Sequence, residues 1–146
     1  MPEQYLTDPY LTDPPSAPMV SLLVCQLVLR EAGPVSAIRI QDVITVNSWT
    51  FANFFVMTFL HSDAPDGNQH ILRVVMFDAK RTSVAAGSDY RFVYQHGVDP
   101  TAPGAFLLTT EFNLDLTPIE PGVYHIEAWL DGTRVARTPL MLRRLG

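Results

Sequence analysis

The fold is decided by one stretch of sequence, Tyr124-His125-Ile126-Glu127-Ala128-Trp129-Leu130-Asp131-Gly132. Apolar residues at the even positions alternate with polar or aromatic residues at the odd ones, which is the period of a strand with one buried face. The Asp-Gly pair at the end is typical of a tight two-residue turn. Because the chain resumes at Arg134 and reaches Leu140 and Leu142, the stretch predicts a β-hairpin.

The same period of two continues upstream of this hairpin. Residues 106–116 alternate in the same way, and the earlier segments are more continuously apolar. Their connections are rich in Gly, Pro, Asp and Asn, which favour turns. The pattern predicts an all-β, antiparallel sandwich of about eight strands, with at most a turn at residues 79–86. The predicted strands are Val20–Arg30, Val35–Val46, Asn53–His61, Ile71–Asp78, Ser88–Gln95, Phe106–Leu116, Tyr124–Leu130 and Arg134–Leu142.

Two of these strands depart from simple alternation. The run from Phe54 to Leu60 is apolar on both faces, so one face is expected to meet the opposite sheet. The other face needs a loop, the N-terminal segment or another subunit. Asp42 shares its parity with Ile40 and Ile44, and a buried charge needs a partner. Either a bulge turns Asp42 outward or a nearby arginine pairs with it.

Composition narrows the class of protein. The 146 residues correspond to one domain, and the formal net charge of −5 argues against a nucleic-acid binder. Cys25 is the only cysteine, which excludes an intrachain disulfide. The apolar run at residues 20–29 is shorter than the ~20 residues that a membrane-spanning helix needs. We therefore expect a protein without membrane or cofactor, made and kept in the cytoplasm or assembled there.

Residues 1–18 form a distinct N-terminal arm, separate from the sandwich domain of residues 19–146. The arm holds five prolines and an exact tandem repeat, Tyr5-Leu6-Thr7-Asp8-Pro9 followed by Tyr10-Leu11-Thr12-Asp13-Pro14. Proline prevents a helix and favours an extended, polyproline-like chain. The arm cannot bury enough surface to fix itself. It is expected either to pack along its own domain or to dock on a neighbouring subunit through Tyr5, Leu6, Tyr10 and Leu11.

The sandwich domain resembles a family of uncharacterised immunoglobulin-like proteins of actinobacteria and their phages. The resemblance lies in Pro121–Gly132, Arg134–Ala136 and Pro139–Leu142, and in the segments Val20–Arg30 and Val74–Asp78. Ile38, Ile40, Asp42 and Val43 fit the family's second strand. The resemblance implies an immunoglobulin-like sandwich and a frequent phage setting. It implies no active-site residues, and the tandem repeat of the arm departs from the family pattern.

One group of residues has the composition of a metal site. His61, Asp63, Asp66 and His70 flank one predicted hairpin, and two histidines with two carboxylates suit a divalent metal. The intervening Ala-Pro-Asp-Gly sequence is, however, an ordinary turn. A solvated loop is the favoured interpretation, and no metal is predicted.

Candidates for catalysis are equally sparse. Glu111, Asp115 and Glu127 could supply paired carboxylates for glycoside hydrolysis. They lie on predicted outward faces, where acidic side chains usually serve only solvation. Cys25 sits in an apolar strand, where a thiol behaves as a small hydrophobic group. The sequence therefore predicts a protein that is not an enzyme.

Three aromatic residues are candidates for binding a partner. Trp129 has the outward parity of His125, and an exposed tryptophan on a sheet is a typical interface anchor. It could instead be covered by the C-terminal segment or the arm. Trp49 and Phe51 lie in a connection, where they either cap the end of the sandwich or face a partner.

Charge is unevenly distributed along the chain. The arm is acidic, whereas the last predicted strand carries arginines. A head-to-tail contact between the arm of one copy and the basic strand of the next would be complementary, although simple scatter explains the pattern as well. The arginines are Arg134, Arg137, Arg143 and Arg144.

We expect a non-enzymatic phage virion structural protein, either a capsid decoration or cement protein or an accessory tail protein, attached through the arm. Its partners would be further copies or other virion subunits. The alternative is a cytoplasmic bacterial module that binds one protein through Trp129 or the aromatic connection. A small enzyme or ligand carrier on the same fold is the third hypothesis, since fold alone does not choose between these functions.

Overall fold

A computed structural model describes residues 19–30, 35–62, 68–93 and 104–145, which form two packed β-sheets. The arm, residues 1–18, lies outside the described residues, as do its predicted contacts. No helix in the described part of the chain is long and apolar enough to cross a membrane. The strands are β1 (Met19–Arg30), β2 (Val35–Ile40), β3 (Val43–Val46), β4 (Phe51–Ser62), β5 (Gln69–Phe77), β6 (Ser83–Ala86), β7 (Tyr90–Val93), β8 (Gly104–Asp115), β9 (Gly122–Leu130) and β10 (Thr133–Arg144).

The two sheets enclose the hydrophobic core. The four-stranded sheet has the order β2-β1-β4-β8, and the six-stranded sheet has the order β3-β10-β9-β5-β6, with β7 also paired to β5. Phe54 and Phe112 stack with their ring centroids 5.3 Å apart in the larger of two core clusters. A smaller cluster surrounds Leu60 and Leu72, and Leu22 packs against both. This arrangement confirms the predicted all-β sandwich.

The hairpin predicted around Asp131-Gly132 is confirmed. β9 and β10 pair antiparallel, from Leu130 opposite Thr133 to Gly122 opposite Leu142. Asp131 and Gly132 have φ angles of 51° and 81°. Positive φ at both central residues is the requirement of a type I′ turn, whose twist matches that of the strands.

Elsewhere the structure departs from the predicted strands. The segment 35–46 divides into β2 and β3, which belong to different sheets, because the chain crosses between the sheets at Gln41 and Asp42. Asp42 is exposed at this crossing, so it faces outward as one alternative predicted, but through a change of sheet rather than a bulge. β3 then pairs parallel to β10, the one parallel pair among the described strands. Residues 83–86, predicted to form at most a turn, form β6.

Strand β4 is apolar on both of its faces, and the two faces have different surroundings, as the sequence predicts. Phe54 and Val56 face the core, whereas Met57 and Phe59 face away from it. Met57 is only 2% exposed on that outer side, while Phe59 is 43% exposed. The outer face of the four-stranded sheet is therefore apolar and unevenly covered.

A tyrosine corner fixes the connection from one sheet to the other. Tyr124 is buried at the start of β9, and its hydroxyl donates a hydrogen bond to the carbonyl of Glu120, four residues upstream. The intervening segment carries the chain from β8 in the four-stranded sheet to β9 in the six-stranded sheet. A tyrosine in this position is a hallmark of immunoglobulin-like sandwiches.

Replacing Tyr124 by Phe tests this connection, because the change removes the hydroxyl and keeps the ring. We expect a loss of about 1 kcal/mol in the free energy of unfolding, since the Glu120 carbonyl loses its donor. Urea denaturation of both proteins measures the difference. An unchanged midpoint would show that the hydrogen bond does not hold the corner.

A substitution at Thr58 is expected to increase the free energy of unfolding rather than to lower it. Thr58 is fully buried on β4, and its hydroxyl has no hydrogen-bond partner among the residues that the structure describes. Thr58→Val replaces the hydroxyl with a methyl group of similar shape and is expected to stabilise the fold by about 1 kcal/mol. Thr58→Ser, which keeps the hydroxyl and loses the methyl, should destabilise it. Thermal or urea unfolding distinguishes these outcomes, and a destabilised valine variant would contradict the assignment.

Candidate functional site

Three strands of the six-stranded sheet present aligned side chains on its outer face. β5, β9 and β10 are neighbours, and their residue pairs place Glu127 at the centre of the face. Cross-strand neighbours on one face lie close enough to interact directly. Trp129 lies opposite Arg73 and Arg134, Glu127 lies opposite Val75 and Arg137, and His125 lies opposite Phe77 and Pro139.

A β-bulge brings Arg134 and Arg137 to the same face. The two residues are three apart, so a regular strand would point them to opposite sides. The register shifts between Arg134 and Ala136, which leaves Val135 as the extra residue in β10. Both arginines consequently approach Glu127.

The turn between β5 and β6 supplies a third arginine. The Asp78 carboxylate accepts hydrogen bonds from the backbone N–H groups of Lys80 and Thr82, each at 2.9 Å. This geometry places Arg81 at φ 67°, in the left-handed region. Glycine adopts that region with less strain. The side chain compensates, because its guanidinium lies 4.4 Å from the ring centre of Phe77 and reaches Glu127.

Glu127 is the buried charge of this face, with 0% of its side chain exposed. Arg81 donates hydrogen bonds to both of its carboxylate oxygens, and the Trp129 indole N–H donates to Oε1 at 3.1 Å. Nitrogen atoms of Arg134 and Arg137 lie 3.5 and 3.6 Å from Oε2. Burial by itself would raise the pKa of Glu127. The hydrogen bond and charge of Arg81, the indole and the charge of Arg134 together hold that pKa below its usual range.

The surroundings of the neighbouring His125 favour its neutral form. Burial lowers the pKa of His125, and the charges of Arg137 and Arg81 lower it further, whereas Glu127 opposes them. The Glu127 carboxylate raises the pKa of Arg81, mainly through the hydrogen bond between the two side chains. The positive charge of this face therefore comes from arginine at neutral pH.

A groove of about 480 Å³ runs along β5 beside Glu127. Its floor and walls combine aromatic and aliphatic side chains with a few polar groups, the composition of a surface that receives a side chain. Arg73 and Asp89 pair at 3.6 Å along one wall. The lining residues are Ile71, Arg73, Val75, Phe77, Ser83, Asp89, Trp129, Asp131 and Gly132.

We call this surface the arginine face and define it by Phe77, Arg81, Glu127, Trp129, Arg134 and Arg137. Its three arginines exceed its one carboxylate by two charges. Each arginine side chain is between 44% and 46% exposed, so part of every guanidinium faces solvent. Guanidinium groups beside an aromatic groove suit an anionic group attached to an apolar one.

The three predicted partner-binding residues that the structure describes do not form one surface. Trp129 is half-buried on the arginine face. Trp49 lies at the opposite end of β9, packs against the larger core cluster and donates to the Ile119 carbonyl at 2.8 Å, which is the capping arrangement. Phe51 is 73% exposed at the start of β4, in the other sheet. Tyr5, Leu6, Tyr10 and Leu11 lie outside the described residues.

The candidate catalytic carboxylates do not converge either. Glu111 and Asp115 lie on β8 in the four-stranded sheet, and Asp115 accepts hydrogen bonds from Thr117. Glu127 belongs to the other sheet, and the interpretation of it as a solvating residue is wrong because arginines cover it.

The structure describes only part of the candidate metal group, the four residues that flank the predicted hairpin. His70 Nδ1 lies 2.6 Å from Asp131 Oδ2. Asp63 and Asp66 lie outside the described residues, and nothing is described of the His61 side chain. Within the described ranges, no group of three His, Cys, Asp or Glu side chains could hold a metal.

The sheet arrangement and the tyrosine corner define an immunoglobulin-like β-sandwich. No family model and no curated protein matches the chain.

Three solved structures illustrate its distant similarities. An immunoglobulin-like protein from Pseudomonas aeruginosa is 11% identical with a TM-score of 0.40, over 88% of this chain and 98% of that one. A β-glucosidase from Listeria innocua is 10% identical with a TM-score of 0.47, over 88% and 17%. An alkylpurine DNA glycosylase from Pseudomonas fluorescens, bound to DNA containing an abasic-site analogue, is 13% identical with a TM-score of 0.43, over 86% and 30%. The chain thus spans less than a third of either enzyme chain.

Glu127→Gln tests the electrostatics of the arginine face. The pKa of the carboxyl is lower in the folded chain than in the unfolded one, so its stabilisation is complete above about pH 4.3, the value for an unperturbed glutamate. That stabilisation disappears as the pH falls through the folded-state pKa. We expect the variant to lose about 2 to 4 kcal/mol at pH 7, because three arginines lose their shared partner.

Urea unfolding between pH 7 and pH 2.5 is the measurement for this prediction. The difference between wild type and Glu127→Gln should shrink in acid. Glu111→Gln is the matched control, since Glu111 is exposed on the other sheet, and it should change stability little at any pH. Equal effects of the two substitutions at pH 7 would contradict the prediction.

Proposed function

We propose that the protein is a non-enzymatic, protein-binding module that holds an extended acidic segment of a partner on the arginine face. The observation that carries the proposal is the excess of arginine over carboxylate beside the groove along β5. Arginine is enriched at the centres of protein interfaces, and so is tryptophan. Trp129, Arg134 and Arg137 are therefore the residues expected to contribute most to binding.

The contacts of Glu127 fit a residue that supports a binding surface better than they fit a catalytic residue. The two oxygens of Glu127 already accept hydrogen bonds from Arg81, one of them also from Trp129, and its lowered pKa favours the ionised form. A general acid needs a proton to give near neutral pH, and a general base needs a free oxygen directed at its substrate. Glu127 instead orients the arginines that surround it.

The shape of the surface favours a peptide over a nucleic acid. The groove offers apolar contacts to Ile71, Val75 and Phe77, and Arg134 and Arg137 lie across β9 from it. A peptide that alternates aromatic and acidic residues would use both features. The chain's net charge of −5 opposes long-range attraction of a nucleic-acid backbone.

The virion structural role implied by the family resemblance stays a prediction. It is compatible with the arginine face, because a decoration or cement protein also needs a surface for neighbouring subunits. Many equivalent weak contacts on a particle would add avidity.

Titration with short peptides tests the proposed function. The probe is a fluorescein-labelled, twelve-residue peptide of alternating glutamate and tyrosine, compared with the same peptide carrying lysine for glutamate. The wild type should bind the acidic peptide only. Arg134→Glu with Arg137→Glu should weaken its binding by roughly tenfold or more.

The charge-matched control is Arg143→Glu with Arg144→Glu on the same strand, outside the arginine face. It should bind the acidic peptide nearly as tightly as the wild type. Thermal melts establish that all variants are folded. Equal binding of both peptides, or equal losses in the two double variants, would overturn the proposal.

A further inference from the structure

Arg134 and Arg137 retain binding capacity after neutralising Glu127. Their nearest nitrogen atoms lie 3.5 and 3.6 Å from the carboxylate, whereas Arg81 makes the direct hydrogen bonds to it. Their side chains are 45% and 44% exposed. Guanidinium N–H groups that face solvent are therefore available to a second carboxylate, which they can bind in a bidentate manner.

The sequence of the arm has the complementary chemistry. Residues 1–18 contain three acidic side chains and no lysine or arginine. Each five-residue repeat has a tyrosine and, three residues later, an aspartate. A polyproline-type chain has three residues per turn and rises ~3.1 Å per residue, so a tyrosine and its aspartate would share one side about 9 Å apart.

That spacing matches the arginine face. The groove follows β5, and Arg134 and Arg137 lie on β10, two strands away. Adjacent strands are ~4.8 Å apart, so the backbones of β5 and β10 lie about 10 Å from each other, and the guanidinium groups of Arg134 and Arg137 extend from β10 toward Glu127 on β9. A tyrosine in the groove would consequently bring its aspartate to the arginines.

The position of the first described residue favours the arm of another copy over the chain's own arm. Met19 begins β1 in the four-stranded sheet, whereas the arginine face is the outer side of the other sheet. Docking within one chain requires the arm to reverse direction around the end of the sandwich. The proline-rich sequence of residues 14–18 favours extended geometry over such a reversal.

From this juxtaposition we propose that the arm of one copy binds the arginine face of a second copy, with Tyr5 or Tyr10 in the groove and Asp8 or Asp13 on Arg134 and Arg137. The contact is heterologous, so successive copies associate head to tail. The proposal rests on the proposed function, because it assigns a particular occupant to the same face.

Sedimentation velocity of the full chain over a range of concentrations tests the contact. The wild type should associate in a concentration-dependent and salt-sensitive way. Two charge-reversed proteins are compared with it: an arm variant with Asp8→Arg and Asp13→Arg, and a face variant with Arg134→Glu and Arg137→Glu. Each alone should associate at least ~10-fold more weakly than the wild type.

Mixing the two variants gives the decisive result. The arm variant keeps an intact face and the face variant keeps an intact arm, and the reversed charges of the two variants also complement each other, so an equimolar mixture should associate although each variant alone does so weakly. Arg143→Glu with Arg144→Glu should associate like the wild type. A mixture that stays monomeric, or a face variant that associates like the wild type, would overturn the proposal.

A second comparison separates this inference from the proposed function. If the wild type binds the acidic tyrosine peptide but stays monomeric at every concentration, the arginine face is a binding site for another partner and the head-to-tail contact is wrong. If the Asp8→Arg, Asp13→Arg protein is monomeric like the wild type but binds that peptide more tightly, the arm occupies the face of its own chain, which also overturns the contact. Binding neither to the peptide nor to a second copy would reject both.

Discussion

The outer face of the six-stranded sheet is organised by the burial of one carboxylate. Removing an ionised glutamate from water costs several kcal/mol unless hydrogen bonds and opposite charges replace the lost solvation. Glu127 obtains that replacement from Arg81, Arg134 and Arg137, and from the indole of Trp129. The arrangement depends on local features of the chain: a left-handed residue in one turn and a bulge in the last strand.

On the arginine face three arginines surround one carboxylate, so two positive charges remain there, although the adjoining groove also carries Asp89 and Asp131 and the chain as a whole is acidic. This local excess, set beside an apolar groove, distinguishes the arginine face from the other broad surface of the sandwich. The outer face of the four-stranded sheet is mainly apolar, with Met19 69% and Ile40 63% exposed. Its polar groups, such as Asn53 and Glu111, hydrogen-bond to each other. Charge complementarity therefore favours the arginine face for an acidic partner.

The sequence was sufficient to predict most of the architecture, because alternation and turn chemistry are local properties. The β9–β10 hairpin follows directly from the alternation around Glu127 and from Asp131-Gly132. The division of residues 35–46 between two sheets was not predictable, since a strand that changes sheets keeps the same local pattern. Gln41 and Asp42 reveal the crossing only when their pairing is known.

The candidate site was even less predictable from local sequence patterns than the division of residues 35–46. Parity predicted that Glu127 and Trp129 face outward, but the burial of Glu127 comes from residues distant in sequence. Arg81 reaches it from a turn that separates strands, and its left-handed backbone leaves no trace in the sequence. Arg134 and Arg137 are three residues apart, a spacing that in a regular strand places side chains on opposite faces. The bulge at Val135 brings them to the same face. Three-dimensional proximity, rather than any motif, defines the site.

The central proposal is that the arginine face binds the arm of a second copy, and photo-cross-linking between copies tests it most directly. A benzophenone amino acid would replace Tyr10 in unlabelled protein, which is then mixed with ¹⁵N-labelled protein and irradiated. Mass spectrometry of mixed-isotope products identifies the attachment site. We expect attachment within β5, β9 or β10, close to Trp129 and Arg134. Attachment to β1, β4 or β8 of the four-stranded sheet would contradict the proposal.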